Sequence, residues 1–388
     1  MRNLYKFDEV VLFTRTGLNP RQNFKLGNGN NIYITIKNIH NNKLVIDDNT
    51  DFVDDDAIQL IHKRSQIKKG DVLFSSIGRI GDTYIIENDP VGWDINESIF
   101  AFTLNTDIIR QKYFHYYFKC KSVLDYLVRN SSGSTFKSIK MNQLKKMIFE
   151  LPSLEEQDRV IEQLDKIDNI ITARAEQIKQ LDNLIKARFV EMFGDPVSNS
   201  FQLPETTLPE LGEFGRGVSK HRPRNDPKLL GGKYPLIQTG DVAAANLYIT
   251  EYSNSYSELG LEQSKMWSKD TLCITIAANI AKTAILDFDA CFPDSVVGFS
   301  ANEKTNNIFI HYWFSFFQAI LEAQAPESAQ KNINLKILSE VKVIVPERSR
   351  QDEFATFVHQ VNKSKAAVQK CFDETQKLFD SLMQQYFG

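Results

Sequence analysis

Apolar residues recur at alternating spacings of four and three through 154–194. The series is Val160, Leu164, Ile167, Ile171, Arg174, Ile178, Leu181, Ile185, Arg188, Met192, and eight of these ten are apolar. A seam held for about four heptads predicts a long helix with a coiled-coil face. Ser153 precedes it and Glu155, Glu156 and Asp158 fill its first turn, which suits a helix N-terminus. Gly194, followed by Asp195 and Pro196, is a stop signal. Some forty residues at about 1.5 Å each make a rod about 60 Å long.

The same pattern returns 194 positions later. There it reads Phe354, Val358, Val361, Lys365, Val368, Phe372, Thr375, Phe379, Leu382, Tyr386, again with eight of ten apolar. The second stretch ends in Phe387-Gly388 as the first ends in Phe193-Gly194. Each seam needs a partner, and the cheapest burial is the other seam, antiparallel. Arg174, Arg188, Lys365 and Thr375 interrupt the seams, as register setters, docking marks or exposed flanks.

The segments between the rods repeat as well. Asn31–Ile39 alternates like a half-buried strand, and Tyr234–Val242 answers it. Lys68–Ile77 reads as a turn and a strand, and Ser268–Ile276 answers it. The loop Gly78–Asp82 has its counterpart in Ala278–Lys282. Asp107–Arg129 reads as helical and aromatic, and its Tyr113–Phe118 stretch is matched by Phe309–Phe314. Gly133–Ile139 is matched by Glu327–Ile333, Pro152 by Pro346, and Gln157 by Gln351. A repeat of this size is a duplicated domain. The predicted organisation is a mixed α/β domain over 1–152, a spacer helix over 153–194, a second mixed α/β domain over 195–346 and a second spacer helix over 347–388. The two helices pair as an antiparallel coiled coil with approximate two-fold symmetry.

Composition narrows the chemistry. The 388 residues are 42% hydrophobic and 24% charged with net charge −3, ordinary for a globular protein. No global basic field announces nucleic acid, but an acidic framework can carry basic loops. Four scattered cysteines without CxxC spacing read as free thiols in a reducing cytosol, so the expected location is cytoplasmic. The longest apolar run, Ile308–Ile320, is too short to span a membrane, and the N-terminus lacks a signal-peptide pattern.

Basic and amide side chains mark candidate DNA contacts. Arg79 lies in the glycine-bounded loop Gly78–Gly81, where backbone can approach phosphate and arginine can read guanine; a solvated hairpin turn fits equally. Ser134 and Thr135 with Lys137 form a hydroxyl-rich loop suited to phosphate, and Gln330 and Lys331 are their counterparts. Thr35, Lys37 and Asn38 end the first alternating strand; Gln238 and Thr239 end its counterpart. Asn279 and Lys282 occupy the second loop. Lys220, Arg222 and Arg224 form the densest basic cluster, answered by Asn19 and Arg21; solvated turns are the bland alternative. The aromatic helices read as core.

These marks together resemble the specificity subunit of Type I restriction–modification systems. They are Leu151-Pro152-Ser-Leu-Glu155-Glu156-Gln157, Met192-Phe-Gly-Asp-Pro196, the Gly78–Gly81 loop and Gly133-Ser-Thr, within a duplicated order carrying two rods. The second half departs from the pattern at Glu347-Arg-Ser-Arg-Gln351 and in the lost glycines of Ala278–Ala281. The resemblance implies a non-catalytic chain with two target recognition domains, each reading half of a bipartite, asymmetric site in double-stranded DNA. The rods would set the spacing and dock two methyltransferase (modification) subunits, with restriction/translocase subunits completing the complex. No cofactor is expected in this chain; S-adenosylmethionine, ATP and Mg2+ are expected on the partners. The competing readings are a standalone nuclease or methyltransferase and a coiled-coil protein scaffold. Against the first, the sequence holds no GxxxxGK[ST] loop, no GxGxxG after a strand, no Asn-Pro-Pro-aromatic tetrad and no His-Cys metal cluster. The second leaves two large globular domains unexplained.

Overall fold

The computed structural model describes residues 2–40, 42–133, 137–277, 280–323 and 333–388. The chain divides into two compact units. Unit 1 comprises Met1–Ala175 and Lys370–Gly388; unit 2 comprises Glu176–Gln369.

The rods are helices Leu154–Phe193 and Arg348–Phe387, here the first and second stems. In unit 1 the start of the first stem meets the end of the second. Val160 and Leu164 pack in one core with Phe379, Met383 and Phe387. In unit 2 the end of the first stem meets the start of the second. Ile185, Phe189, Met192 and Phe193 pack with Phe354, Val358 and Val361. The pairing is therefore antiparallel. Two of the seam interruptions are cross-stem ion pairs: Lys365 Nζ lies 2.6 Å from Asp182, and Arg188 Nη2 lies 3.0 Å from Glu353. Such pairs favour one register over its neighbours. Arg188 is displaced from the seam itself by Phe189, which is fully buried among the rings of Phe193, Phe309, Phe316 and Phe354.

Unit 1 is built on a four-stranded antiparallel sheet, in the order Val11–Thr16, Ile99–Leu104, Val72–Ser75, Thr83–Ile85. A three-stranded sheet (Asp51–Val53, Asn31–Ile34, Trp93–Ile95) stands beside it, and Asn3–Lys6 pairs with Ile148–Leu151. The strands Val72–Ser75 and Ile99–Leu104 are apolar on both faces because both are covered. One cover is helix Gln111–Lys119, whose Tyr113, Phe114, Tyr116 and Phe118 are all in the core, as the aromatic pattern predicts.

Unit 2 repeats this plan with a five-stranded sheet: Gly212–Arg216, Val296–Ala301, Leu272–Thr275, Thr283–Leu286, Tyr248–Ile249. A four-stranded sheet (Asn254–Tyr256, Leu230–Leu236, Ala290–Cys291, Met266–Trp267) and the pair Glu205–Thr207 with Lys342–Ile344 complete it. Helix Asn307–Ala323 buries Phe309, Ile310, Trp313 and Phe314.

Three sequence expectations change. The alternation over Asn31–Ile39 is not one strand: the strand stops at Ile34 and Ile36–Asn38 is a 3-10 turn. Tyr234–Val242 likewise splits into strand Leu230–Leu236 and helix Thr239–Ala244. In both cases a short polar side chain competes with the ladder. Asn38 Oδ1 accepts the Thr35 amide at 2.9 Å, and Asp241 Oδ2 accepts the Gln238 amide at 2.8 Å, closing capping boxes. The helix over Asp107–Arg129 starts at Gln111 and breaks at Cys120, which takes an extended backbone conformation. The thiols of Cys120, Cys273 and Cys291 are buried; that of Cys371, on the second stem, is exposed.

Each stem is joined to the globular part of its unit by a buried glutamine. Gln157 Oε1 accepts the Arg110 amide at 2.9 Å, and its Nε2 donates to the carbonyls of Ile108 (2.8 Å) and Pro152 (3.1 Å). Gln351 repeats the arrangement: Oε1 accepts from Thr305 Oγ1 (2.8 Å), and Nε2 donates to the carbonyls of Lys304 (3.0 Å) and Pro346 (2.8 Å).

Candidate nucleic-acid interface

In unit 1 the fold gathers the Thr35–His40 turn, the Gly78–Asp82 loop and Lys137. Arg79 is the link. Its Nη2 donates to the carbonyls of Ile36 (2.9 Å) and Ile39 (3.0 Å), and its Nε lies 3.0 Å from Asp82 Oδ2. The backbone amide of Gly78 donates to the Lys137 carbonyl at 3.2 Å. Gly78 and Gly81 both take positive φ, so the loop needs residues without the Cβ penalty. Lys37 is exposed and lies 3.0 Å from Asp51.

Asn38 is the candidate the structure removes. It is 1% exposed, and its amide donates to the Val45 carbonyl (3.0 Å) and Thr50 Oγ1 (3.2 Å). That side chain is spent inside the fold and cannot face a base. Asn19 and Arg21 lie apart in the turn after Val11–Thr16. The Asn19 carbonyl accepts from Asn23 Nδ2 at 2.9 Å, and Arg21 is exposed. Ser134, Thr135, Asn279, Gln330 and Lys331 lie outside the described residues.

In unit 2 the basic cluster gathers on one carboxylate. Arg224 Nη2 donates directly to Asp294 Oδ1, and Arg222 Nη2 lies 3.7 Å from Asp294 Oδ2. Arg222 Nη1 also donates back to the carbonyls of Ser219 (2.6 Å) and His221 (2.8 Å), fixing the turn. Arg224 and Asp294 border a cavity of about 260 Å3 together with Arg216, Ile276, Ala277, Ser295 and Ile333. Lys220 is exposed at the start of this turn. Arg216 is not among the residues singled out from sequence. Its signal was positional: it ends a strand before Gly217 as Thr16 does before Gly17. Gln238 and Thr239 sit at the N-terminus of helix Thr239–Ala244, not at a strand end.

Behind both loops lies a repeated polar pair that the sequence reading also missed. Thr83 Oγ1 is 2.6 Å from His115 Nδ1, and Thr283 Oγ1 is 2.9 Å from His311 Nδ1. The recurrence was visible as a threonine just after each loop and a histidine in each aromatic helix. Burial, aided by Lys119 and Lys112, pushes the His115 imidazolium down to about 3; burial pushes that of His311 down to about 4. Both pairs line cavities beside the stems, of about 580 Å3 in unit 1 and about 360 Å3 in unit 2. Asp82 borders the first and Lys282 stands at the matching place in the second. Burial raises the Asp82 carboxyl above its ordinary range, against the pull of Arg79, His40 and Lys119.

The duplicated units, their loops and the paired stems define a class. The chain belongs to the Type I restriction modification DNA specificity domain family, whose model matches residues 3–183 and 205–371. Among its relatives is a putative type I restriction enzyme specificity subunit, MjaX, of Methanocaldococcus jannaschii, 25% identical over 74% of this chain and 70% of that protein. The EcoBI specificity subunit of Escherichia coli is 26% identical over 28% of this chain and 23% of its own length. The fold matches the Type-I restriction-modification S subunit from M. genitalium with a TM-score of 0.58 at 15% identity, covering 100% of this chain and 96% of that one. It equally matches a chain solved in work on complex assembly and conformational transition of the type I R-M system, with a TM-score of 0.58, 17% identity and coverage of 100% and 97%.

This family membership makes the chain a DNA sequence-recognition subunit rather than a catalytic one, and displaces the enzyme and scaffold readings. Among the described residues no cluster of three or more His, Cys, Asp or Glu is placed to hold a metal ion. No described helix is long and apolar enough to cross a membrane.

Proposed function

We propose that each unit reads one half of a bipartite, asymmetric site in double-stranded DNA. In this reading residues 1–152 and 195–346 are the two target recognition domains, and 153–194 and 347–388 are the spacer stems, whose length sets the number of unread base pairs between the half-sites. One observation carries this: two units share a plan but present different side chains at matching places. Asp82 is replaced by Lys282, and Thr16 with Arg21 by Arg216 with Arg222 and Arg224. A common plan with unlike surface groups suits two half-sites of different sequence. Lys37, Arg79, Lys137, Lys220, Arg222 and Arg224 supply the cationic contacts, with Thr35, Gln238, Thr239, Asn19, Arg21 and Lys282 on the flanks.

The stems also dock two methyltransferase subunits, which carry S-adenosylmethionine; restriction/translocase subunits with ATP and Mg2+ complete an assembly that works in the cytoplasm. Supporting this, the stems leave large apolar side chains in solvent beyond their seam: Ile170, Leu184 and Val190 on the first and Leu378 on the second.

The test is sequence-selective retention. The full chain, with co-expressed modification subunits, is incubated with a random duplex library and the retained DNA is sequenced. A single split motif with a fixed gap is expected. Lengthening both stems by one heptad, about 10.5 Å or roughly three base pairs, lengthens that gap. An ungapped motif, or a gap that ignores stem length, refutes the reading.

A further inference from the structure

The Arg224–Asp294 pair is an unusual way to present a cation to DNA. A carboxylate in direct contact offsets most of the guanidinium charge and repels a phosphate oxygen at the same place. As a phosphate grip the pair is therefore poor. As a base reader it is well made. Arginine has five N–H donors in a rigid fork, and contact with Asp294 uses Nη2, leaving donors for a neutral acceptor pair. In the major groove guanine offers such a pair in O6 and N7, and the cytosine opposite offers an N4 donor that a carboxylate accepts. The charges of the pair match a G·C edge.

The surroundings support the assignment. Arg222 is tied back to Ser219 and His221, so the turn that carries Arg224 is held. Side chains of Arg224 and Asp294 remain 45% and 37% exposed, open to a groove. Arg216 borders the same cavity, is exposed, and makes no ion pair among the described residues, which suits the backbone. The matching places in unit 1 hold Thr16, Arg21 and Glu97, and among the described residues Arg21 and Glu97 form no ion pair, so the paired arrangement belongs to unit 2.

We propose that Arg224, positioned by Asp294, reads a guanine in the half-site of unit 2, while Arg216 grips a neighbouring phosphate. This rests on the reading of unit 2 as a DNA reader, and the experiment separates the two. The full chain with its modification subunits is passed through the same library as wild type, Arg224→Lys, Arg224→Ala, Asp294→Asn and Arg216→Ala. If wild type selects no motif, the functional reading fails. If it selects one, Arg224→Lys and Arg224→Ala are expected to lose about ten-fold or more of the discrimination at one guanine in one half-motif, leaving the other half sharp. Asp294→Asn relaxes the same position to a smaller extent. Arg216→Ala weakens all sequences alike and lowers the slope of log affinity against log salt by about one. Full retention of specificity by Arg224→Lys, or uniform weakening by Arg224→Ala, overturns the assignment. Retention by wild type of a unit 2 half-motif without guanine overturns it as well. Binding to the unaltered half-motif serves as the check that each variant is folded.

Discussion

Replacing Gln157 with alanine isolates the joint between the first stem and the globular part of unit 1. The substitution leaves three groups without their partner: the Arg110 amide and the carbonyls of Ile108 and Pro152. A buried group left unpaired costs about 1–3 kcal/mol, and carbonyls that reach another donor cost least, so the sum should fall near 3 kcal/mol. Gln157→Glu should be worse at neutral pH, because a buried carboxylate faces the two carbonyl oxygens that Nε2 now serves. It should partly recover on acidification, when a protonated acid can donate again. Urea unfolding followed by Trp93, the tryptophan of unit 1, measures the loss; hydrogen exchange at the Arg110 amide locates it. Gln351→Ala should act equally in unit 2, and because the two glutamines share no partner the losses should add. A loss under about 1 kcal/mol with the Arg110 amide still protected would show that the glutamine does not hold the joint.

Two further outcomes are expected. Ala281 takes a φ of +56°, where a Cβ costs about 1 kcal/mol, so Ala281→Gly should raise the unfolding midpoint of unit 2; Gly81→Ala should lower that of unit 1, since its φ is +96° and a new Cβ would lie 2.8 Å from Leu124. Calorimetry on both variants decides the signs. His115 binds a proton near its ordinary value of 6.5 in the unfolded chain but only near 3 in the fold. Its contribution is therefore whole above about pH 6.5 and falls as pH drops toward 3, reaching a loss of about 2 kcal/mol at pH 5. His115→Gln should flatten that acid limb in a stability–pH series, and an unchanged slope would contradict a neutral buried imidazole.

Much of the architecture was legible because it rests on periodicity. A heptad seam needs no tertiary knowledge, and its second occurrence showed the partner. Where the sequence failed, one polar side chain overruled a pattern. Asn38 sits in an alternating run, yet its short amide closes a turn and the strand ends. Arg79 reads as a free loop cation, but its guanidinium holds the carbonyls of Ile36 and Ile39, which no local pattern foretells. Arg216 escaped notice because a lone arginine at a strand end carries no signal until Asp294 and Arg224 are brought to the same cavity. Contacts across long sequence separations, such as Thr83 with His115, are set by packing of sheet on helix and not by neighbours in the chain.

The exposed thiol on the second stem has a practical consequence. With the other three cysteines walled in, a maleimide dye will attach at Cys371 alone, on a rigid helix and without any engineering. An acceptor placed on a duplex then converts recognition into a distance, so the protein arrives already equipped for single-molecule fluorescence.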